Sequence, residues 1–189
     1  QLFLAAFADG FIVEFDRQRA DSVDFHSSAR DLPAHSYLQS PQRTQNPVSV
    51  IYLGTASVTD LQFSPDGRLL AATATDGIAR VFEWPSRRLV ASFRSPFAAL
   101  LCCAWSPDSL LLATGGQDDR IWLWNVRDRR CMGQCVGHKS WVSSMCFEPR
   151  VSSTSTTATA TATAAGAAAG AAASLSLDAQ SYSLVSVAQ

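Results

Sequence analysis

"FSPDGRLLAA" (Phe63–Ala72) and "WSPDSLLLAT" (Trp105–Thr114) lie forty-two residues apart, and "FEP" at Phe147 begins after the same step again. Asp76 and Asp118 keep the interval, as do Phe82 and Trp124. A shared period of this length marks a repeated supersecondary unit that buries its apolar face against its neighbours. Within each unit the apolar residues alternate in short runs, which favours strands over helices. "VTDLQF" (Val58–Phe63) comes first, and Pro65 and Gly67 then turn the chain. "RLLAAT" (Arg68–Thr73) leads to a turn at Asp76-Gly77, then to "IARVFEW" (Ile78–Trp84) and "RLVASF" (Arg88–Phe93). The next unit repeats the order as "LLCCAW", "LLLATG", "RIWLWNV" and "RCMGQCV". Strands of even spacing with turn residues between them predict an all-β repeat.

Part of an earlier unit stands upstream. Asp9 precedes Phe15 by six residues, as Asp76 precedes Phe82 and Asp118 precedes Trp124. "LFLAAFADGFIVEFD" therefore reads as the second and third strands of a unit whose spacing is stretched by twenty-five residues. The excess falls in residues 17–46, a polar stretch expected to be a surface insertion with little core.

With GH at Gly137-His138, the pattern of a strand, SPDG, and Asp six residues before an aromatic resembles the WD repeat of β-propellers. The resemblance covers most of residues 1–150. It implies four-stranded antiparallel blades around a central channel, here about three and a half blades of an expected seven, whose open edges would expose apolar surface. Its structural positions fall on Asp9, Phe15, Asp76, Phe82, Asp118, Trp124 and His138. In strong WD units His, Ser or Thr, Asp and Trp share a buried hydrogen-bond network. The chain departs from that pattern. His138 stands nine residues before Phe147, but Pro96 and Gly54 hold the corresponding places before Trp105 and Phe63, so Asp76 and Asp118 lack a His. His138 is expected to be a structural hydrogen-bonding residue at the start of an inner strand.

"LLCCAWSPDSLLLATGGQDDRIWLW" followed by "GHKSWVSSMCFEP" resembles a narrower group. This comprises the WD-repeat cofactors of ubiquitin-specific proteases, with the fungal catabolite-repression WD protein and the dystrophia-myotonica WD-repeat protein. "NPVSV" and "FLAAFADGFIVEF" fit it as well. The resemblance implies a non-enzymatic scaffold that binds and activates a ubiquitin-specific protease, with a second WD-repeat protein as a further partner, in the cytoplasm or nucleus. Two alternatives stand beside it: a general WD-repeat adaptor for another complex, and a truncated non-functional isoform. Phe97, Arg120, Lys139 and Trp141, in or beside turns between strands, are the candidate partner contacts; Trp141 and Phe147 read first as blade packing residues, and Trp141 also as a rim contact.

Residues 151–177 form a low-complexity insertion of Ser, Thr and Ala, expected to be disordered or transiently helical over 151–174. Residues 178–189 begin a second strand of the blade it interrupts, with "SYSLVSVAQ" (Ser181–Gln189) alternating.

Composition and motifs argue against other functions. Fifteen basic residues face sixteen acidic ones, a net charge of −1, which gives no support to nucleic-acid binding by bulk charge. No apolar run is long enough to suggest a membrane span. Five cysteines suit free, mostly buried thiols. Cys131, Cys135 and His138 invite a zinc reading, but Cys131 and Cys135 are expected on one strand face and a fourth ligand is missing, so no metal or other cofactor is expected. Neither a phosphate-binding loop nor a nucleophile elbow is present, and no catalytic residue is assigned.

Overall fold

The computed structural model describes residues 1–21, 33–39, 44–148, 171–177 and 180–188. Among them there are strands and turns and no α-helix. The strands are β1 (Leu2–Ala6), β2 (Phe11–Asp16), β3 (Ala20–Asp21), β4 (Ser36–Gln39), β5 (Gln45–Asn46) and β6 (Ser49–Tyr52). The first full repeat supplies β7 (Val58–Phe63), β8 (Leu69–Ala74), β9 (Ile78–Glu83) and β10 (Arg88–Arg94). The second supplies β11 (Leu100–Trp105), β12 (Leu111–Gly116), β13 (Arg120–Asn125) and β14 (Arg130–Val136). β15 (Val142–Phe147), β16 (Ala171–Leu177) and β17 (Gln180–Ala188) complete the set.

Four antiparallel sheets result. Sheet I has the order β1-β2-β6-β4, sheet II β7-β8-β9-β10, sheet III β11-β12-β13-β14 and sheet IV β15-β17-β16. Each is held to the next by an apolar layer, because every strand face left by one sheet must be covered by another. Ile12, Ile51 and Leu53 of sheet I meet Leu70, Ala72 and Phe82 of sheet II. Val81 and Phe93 of sheet II meet Leu100, Trp105 and Trp124 of sheet III. Cys102, Ala113 and Leu123 of sheet III meet Val142, Met145 and Leu184 of sheet IV. This is the architecture of propeller blades, in part.

The forty-two-residue period extends to the irregularities. The first strands of sheets II, III and IV each carry an extra residue, at Thr59, Leu101 and Ser143. The outer strands β10 and β14 do so at Val90 and Met132. A bulge re-aims side chains, and this one overturns the zinc geometry. Cys131 pairs with Trp124 and Cys135 with Ile121, so the extra Met132 places the two thiols on opposite faces instead of one. The cysteines are also less buried than expected: Cys102 and Cys103 are buried, whereas Cys131 and Cys146 are exposed.

Two segments outside the regular repeat add strands. Within 17–46, Ser36–Gln39 pairs antiparallel with β6 and so forms the edge of sheet I, with alternating exposure and little burial. Residues 22–32 and 40–43 lie outside the described residues. Ala171–Leu177 pairs with β17 from Ala171↔Ser186 to Leu177↔Gln180. This differs from the disordered or helical reading of residues up to 174. The N–H and C=O groups along β17 offer a ladder to the segment that precedes it by two residues, and alanine's helix preference of a few tenths of a kcal/mol per residue (about that size against other ordinary residues) does not oppose it. The expectation for residues 151–170 lies outside the described residues.

Candidate functional site

The repeat has two kinds of end. The turns from second to third strand and the loops from fourth to next first strand emerge on one rim; the remaining turns emerge on the opposite one. The first rim holds Asp9, Asp76, Asp118 and His138 and the candidate contacts, whereas Phe15, Phe82 and Trp124 stand near the far ends of their strands.

In sheet III the hydrogen-bond network divides into two. Trp124 Nε1 donates to Thr114 Oγ1 at 2.8 Å in the buried interior. Nearer the rim, Asp118 accepts from Trp122 Nε1 at 2.8 Å, from Ser95 Oγ at 3.3 Å and from the Arg120 N–H at 3.3 Å. Ser95 and Trp122 thus serve where a His is absent. In sheet II, Ala72 and Phe82 replace Thr114 and Trp124, both fully buried, and no polar pair is present at those positions. Asp76 is bound by Arg80, with Nη2 at 2.6 Å, and by the Ile78 N–H at 3.0 Å. Burial pushes the Asp76 carboxyl up, but the hydrogen bonds from Arg80 and Ile78 and the charges of Arg80 and Arg94 outweigh it, so its pKa is lowered. In sheet IV, His138 Nε2 lies 2.7 Å from Ser186 Oγ. By register, Ser186 opposite Met145 holds the place of Thr114 opposite Cys103. In sheet I, Asp9 is exposed in its turn and Phe15 stacks on Phe3 at 5.2 Å.

The sheets approach closely at this rim. A Cβ on Gly77, whose φ is +76°, would stand 2.7 Å from the Ala98 carbonyl oxygen. Its counterpart in sheet III is Asp119, also left-handed at φ 58°, a conformation Asp adopts more readily than most residues.

Of the four candidate contacts, Phe97 and Arg120 come together. Phe97 is 66% exposed, with the Arg120 guanidinium carbon 5.0 Å from its ring centroid. Beneath it lie Trp122 at 6.5 Å, Trp124 a further 5.9 Å on, and Phe93 at 5.0 Å from Trp124, a column of rings from solvent into the core. Lys139 is exposed and holds the place of Phe97 one repeat on. Trp141 lies in the same loop on the rim and is 48% exposed. Phe147 is partly buried against the layer between sheets III and IV.

The two buried thiols, Cys102 and Cys103, do not make a reactive site. Burial, then the Asp60 carboxylate, pushes Cys102 up to about 12 and Cys103 well above its ordinary value, so both stay protonated. Among the described residues no group of three or more His, Cys, Asp or Glu could hold a metal ion.

One cluster escaped sequence reasoning. Glu14 is fully buried, and Arg87 Nη2 reaches its two carboxylate oxygens at 2.8 and 2.7 Å. Ser49 Oγ donates to the same carboxylate at 2.6 Å, and the Arg87 guanidinium lies 4.2 Å from the Trp84 ring centroid. This ties sheet I to the turn after β9. The available signal was a lone acid inside the apolar run "FIVEF".

Residues 45–83 and 87–125 match the model of the WD domain, G-beta repeat. The chain therefore carries WD repeats in tandem, and its fold is that of a WD-repeat β-propeller in part, a class that serves as a protein-interaction scaffold. It is 33% identical over 166 residues to the WD repeat-containing protein 20 homolog of Caenorhabditis elegans, an alignment covering 81% of this chain and 21% of that protein. The chain thus spans about a fifth of the length of this curated relative. Among solved structures it is similar to those described as "Structure of U3-55K" and "Crystal structure of RRP9 WD40 repeats". Both have 25% identity and a TM-score of 0.46 over 48% of this chain, and the match covers 30% and 29% of those chains.

Proposed function

We propose that this chain is part of a regulatory cofactor that binds the catalytic domain of a ubiquitin-specific protease and raises its activity, with a second WD-repeat protein as a further partner. The observation that carries the reading is the exposed Phe97 held under Arg120 on a column of rings, with Trp141 exposed in the equivalent loop one repeat on. A large aromatic fixed in place before binding loses little entropy on contact, and aromatic and Arg residues dominate the energetics of interfaces. The resemblance of residues 100–149 to cofactors of these proteases supplies the partner class. Activation is allosteric: the scaffold donates no catalytic group and acts by binding the productive arrangement of the protease more tightly than the resting one.

The test mixes the full-length protein with a purified ubiquitin-specific protease and its partner WD protein, and follows cleavage of a fluorogenic ubiquitin substrate. The expected result is a rate increase that is lost in Phe97→Ala or Trp141→Ala variants with unchanged thermal melting. No increase at micromolar concentration of folded protein removes the protease reading and leaves the interaction scaffold with another client.

A further inference from the structure

The Glu14–Arg87 pair closes the junction of sheets I and II, and the repeat lets the next junction be compared with it position by position. Arg87 and Arg129 are equivalent: they sit forty-two residues apart in the same turn and share a left-handed backbone, φ 57° and 54°. Trp84, on which Arg87 stacks, corresponds to Val126. Glu14 stands on the third strand of sheet I, and the same strand position in sheet II is Val81; its partner Ser49 corresponds to Ala91. At the junction of sheets II and III the carboxylate, the hydroxyl and the large ring are therefore all replaced by smaller apolar groups, while the arginine is kept.

Beside Val126 and Arg129 lies a groove of about 330 Å³, with Val81 and Ala91 buried behind it and not lining it. Leu69, Val90, Leu110 and Val126 line it, with Arg127 and Arg129 beside them. Val90 is the bulged residue of β10, and Leu110 is 44% exposed. Arg127 and Arg129 are exposed and form no ion pair among the described residues, whereas neighbouring Arg130 has Asp128 at 3.6 Å and Arg88 has Glu83 at 3.9 Å. The groove opens on the rim opposite Phe97, because it is framed by the turns after first and third strands.

We propose that this groove is a second docking site, taking an acidic peptide segment of a partner protein with an adjacent aliphatic side chain. The partner's carboxylate supplies to Arg129 and Arg127 what Glu14 supplies to Arg87. Its aliphatic side chain covers Leu69, Val90 and Val126. Charge complementarity selects the acidic occupant, and the filled junction beside it shows that this turn accommodates a carboxylate. A guanidinium paired with a carboxylate through charge-assisted hydrogen bonds gives orientation as well as affinity.

The experiment uses the whole chain and a fluorescein-labelled octapeptide of two leucines followed by four glutamates between serines, read by fluorescence anisotropy. Saturable binding is expected, weakening as salt rises. Exchange of the glutamates for glutamines, or the double change Arg127→Glu with Arg129→Gly, is expected to weaken it by roughly tenfold or more. Glycine is chosen at 129 because it accepts the positive φ. Leu110→Glu, an exposed change at the edge of the groove, places a competing carboxylate there and is expected to block the peptide without unfolding the chain. No saturable binding, equal affinity for the glutamine peptide, or binding undiminished in both variants would overturn the proposal. Loss of protease activation through Phe97 leaves it standing, since the two sites are on opposite rims.

Discussion

Sheets II and III have the same strand order, bulges and turns, yet they solve one buried position in opposite ways. Sheet III places Thr114 against Trp124 and joins them by a hydrogen bond. Sheet II places Ala72 near Phe82 and has no polar atom to satisfy. A buried donor without an acceptor is costly, whereas removing both partners is close to neutral. Each of the two sheets thus carries a complete solution, and neither carries a mixture. The same contrast recurs at the rim, where Arg80 neutralises Asp76 in sheet II while Trp122 and Ser95 hydrogen-bond Asp118 in sheet III.

The largest effect is expected where the sheets differ in what faces them. Thr73 of sheet II corresponds to Gly115 of sheet III. Thr73 shares a 2.9 Å hydrogen bond with Thr59. A Cβ at Gly115 would instead stand 2.5 Å from Met145 Cε and 2.9 Å from Val142 Cβ. Gly115→Thr, which copies sheet II, should therefore destabilise by about 3 kcal/mol, the upper end of ordinary overpacking, because Val142 Cβ cannot move without its strand. Chemical denaturation measures this, and a loss below about 1 kcal/mol would mean that sheets III and IV pack less firmly than the distances imply.

A smaller effect separates the mixed and complete solutions. Thr114→Val should cost about 1–3 kcal/mol by leaving the Trp124 N–H without a partner. The double change Thr114→Ala with Trp124→Phe reproduces sheet II, and should cost less than the two single changes added together. Strict additivity in that cycle would mean that the hydrogen bond contributes nothing and that only side-chain volume matters.

Repeat period, strand order and rim positions were legible in sequence because turn chemistry and alternation are local signals. "SPDG" and "SPDS" announce their turns, and both serines do bond the following aspartates at 2.6 Å. The partners of Asp76 and Asp118 were not legible. Arg80 and Trp122 lie only four residues from their aspartates, but whether such a side chain turns back to the rim depends on the neighbouring sheet. The Glu14–Arg87 pair spans seventy-three residues, a distance at which only the folded stack brings the groups together. The strand at Ala171–Leu177 was missed for a related reason: its composition carries no pattern, and the ladder that holds it belongs to β17.

The smallest expected effect tests the ionic solution at the rim of sheet II. Arg80 has 4% of its side chain exposed and Asp76 28%, so the carboxylate keeps some water and the pair is only partly desolvated. Because the folded pKa of Asp76 is lowered, the unfolded chain binds the proton more readily there. The stability from this group is present above the ordinary carboxylate pKa and is lost as pH falls through the lowered folded value. Asp76→Asn should therefore be less stable at neutral pH, where Arg80 stays buried without its counter-charge, and its stability should fall less steeply than the parent's as the solution is acidified. Urea unfolding at several pH values down through the carboxylate range gives both slopes. Parallel slopes would mean that Arg80 packs against Asp76 without holding its charge, and the rim ends of sheets II and III would then differ in shape and not in electrostatics.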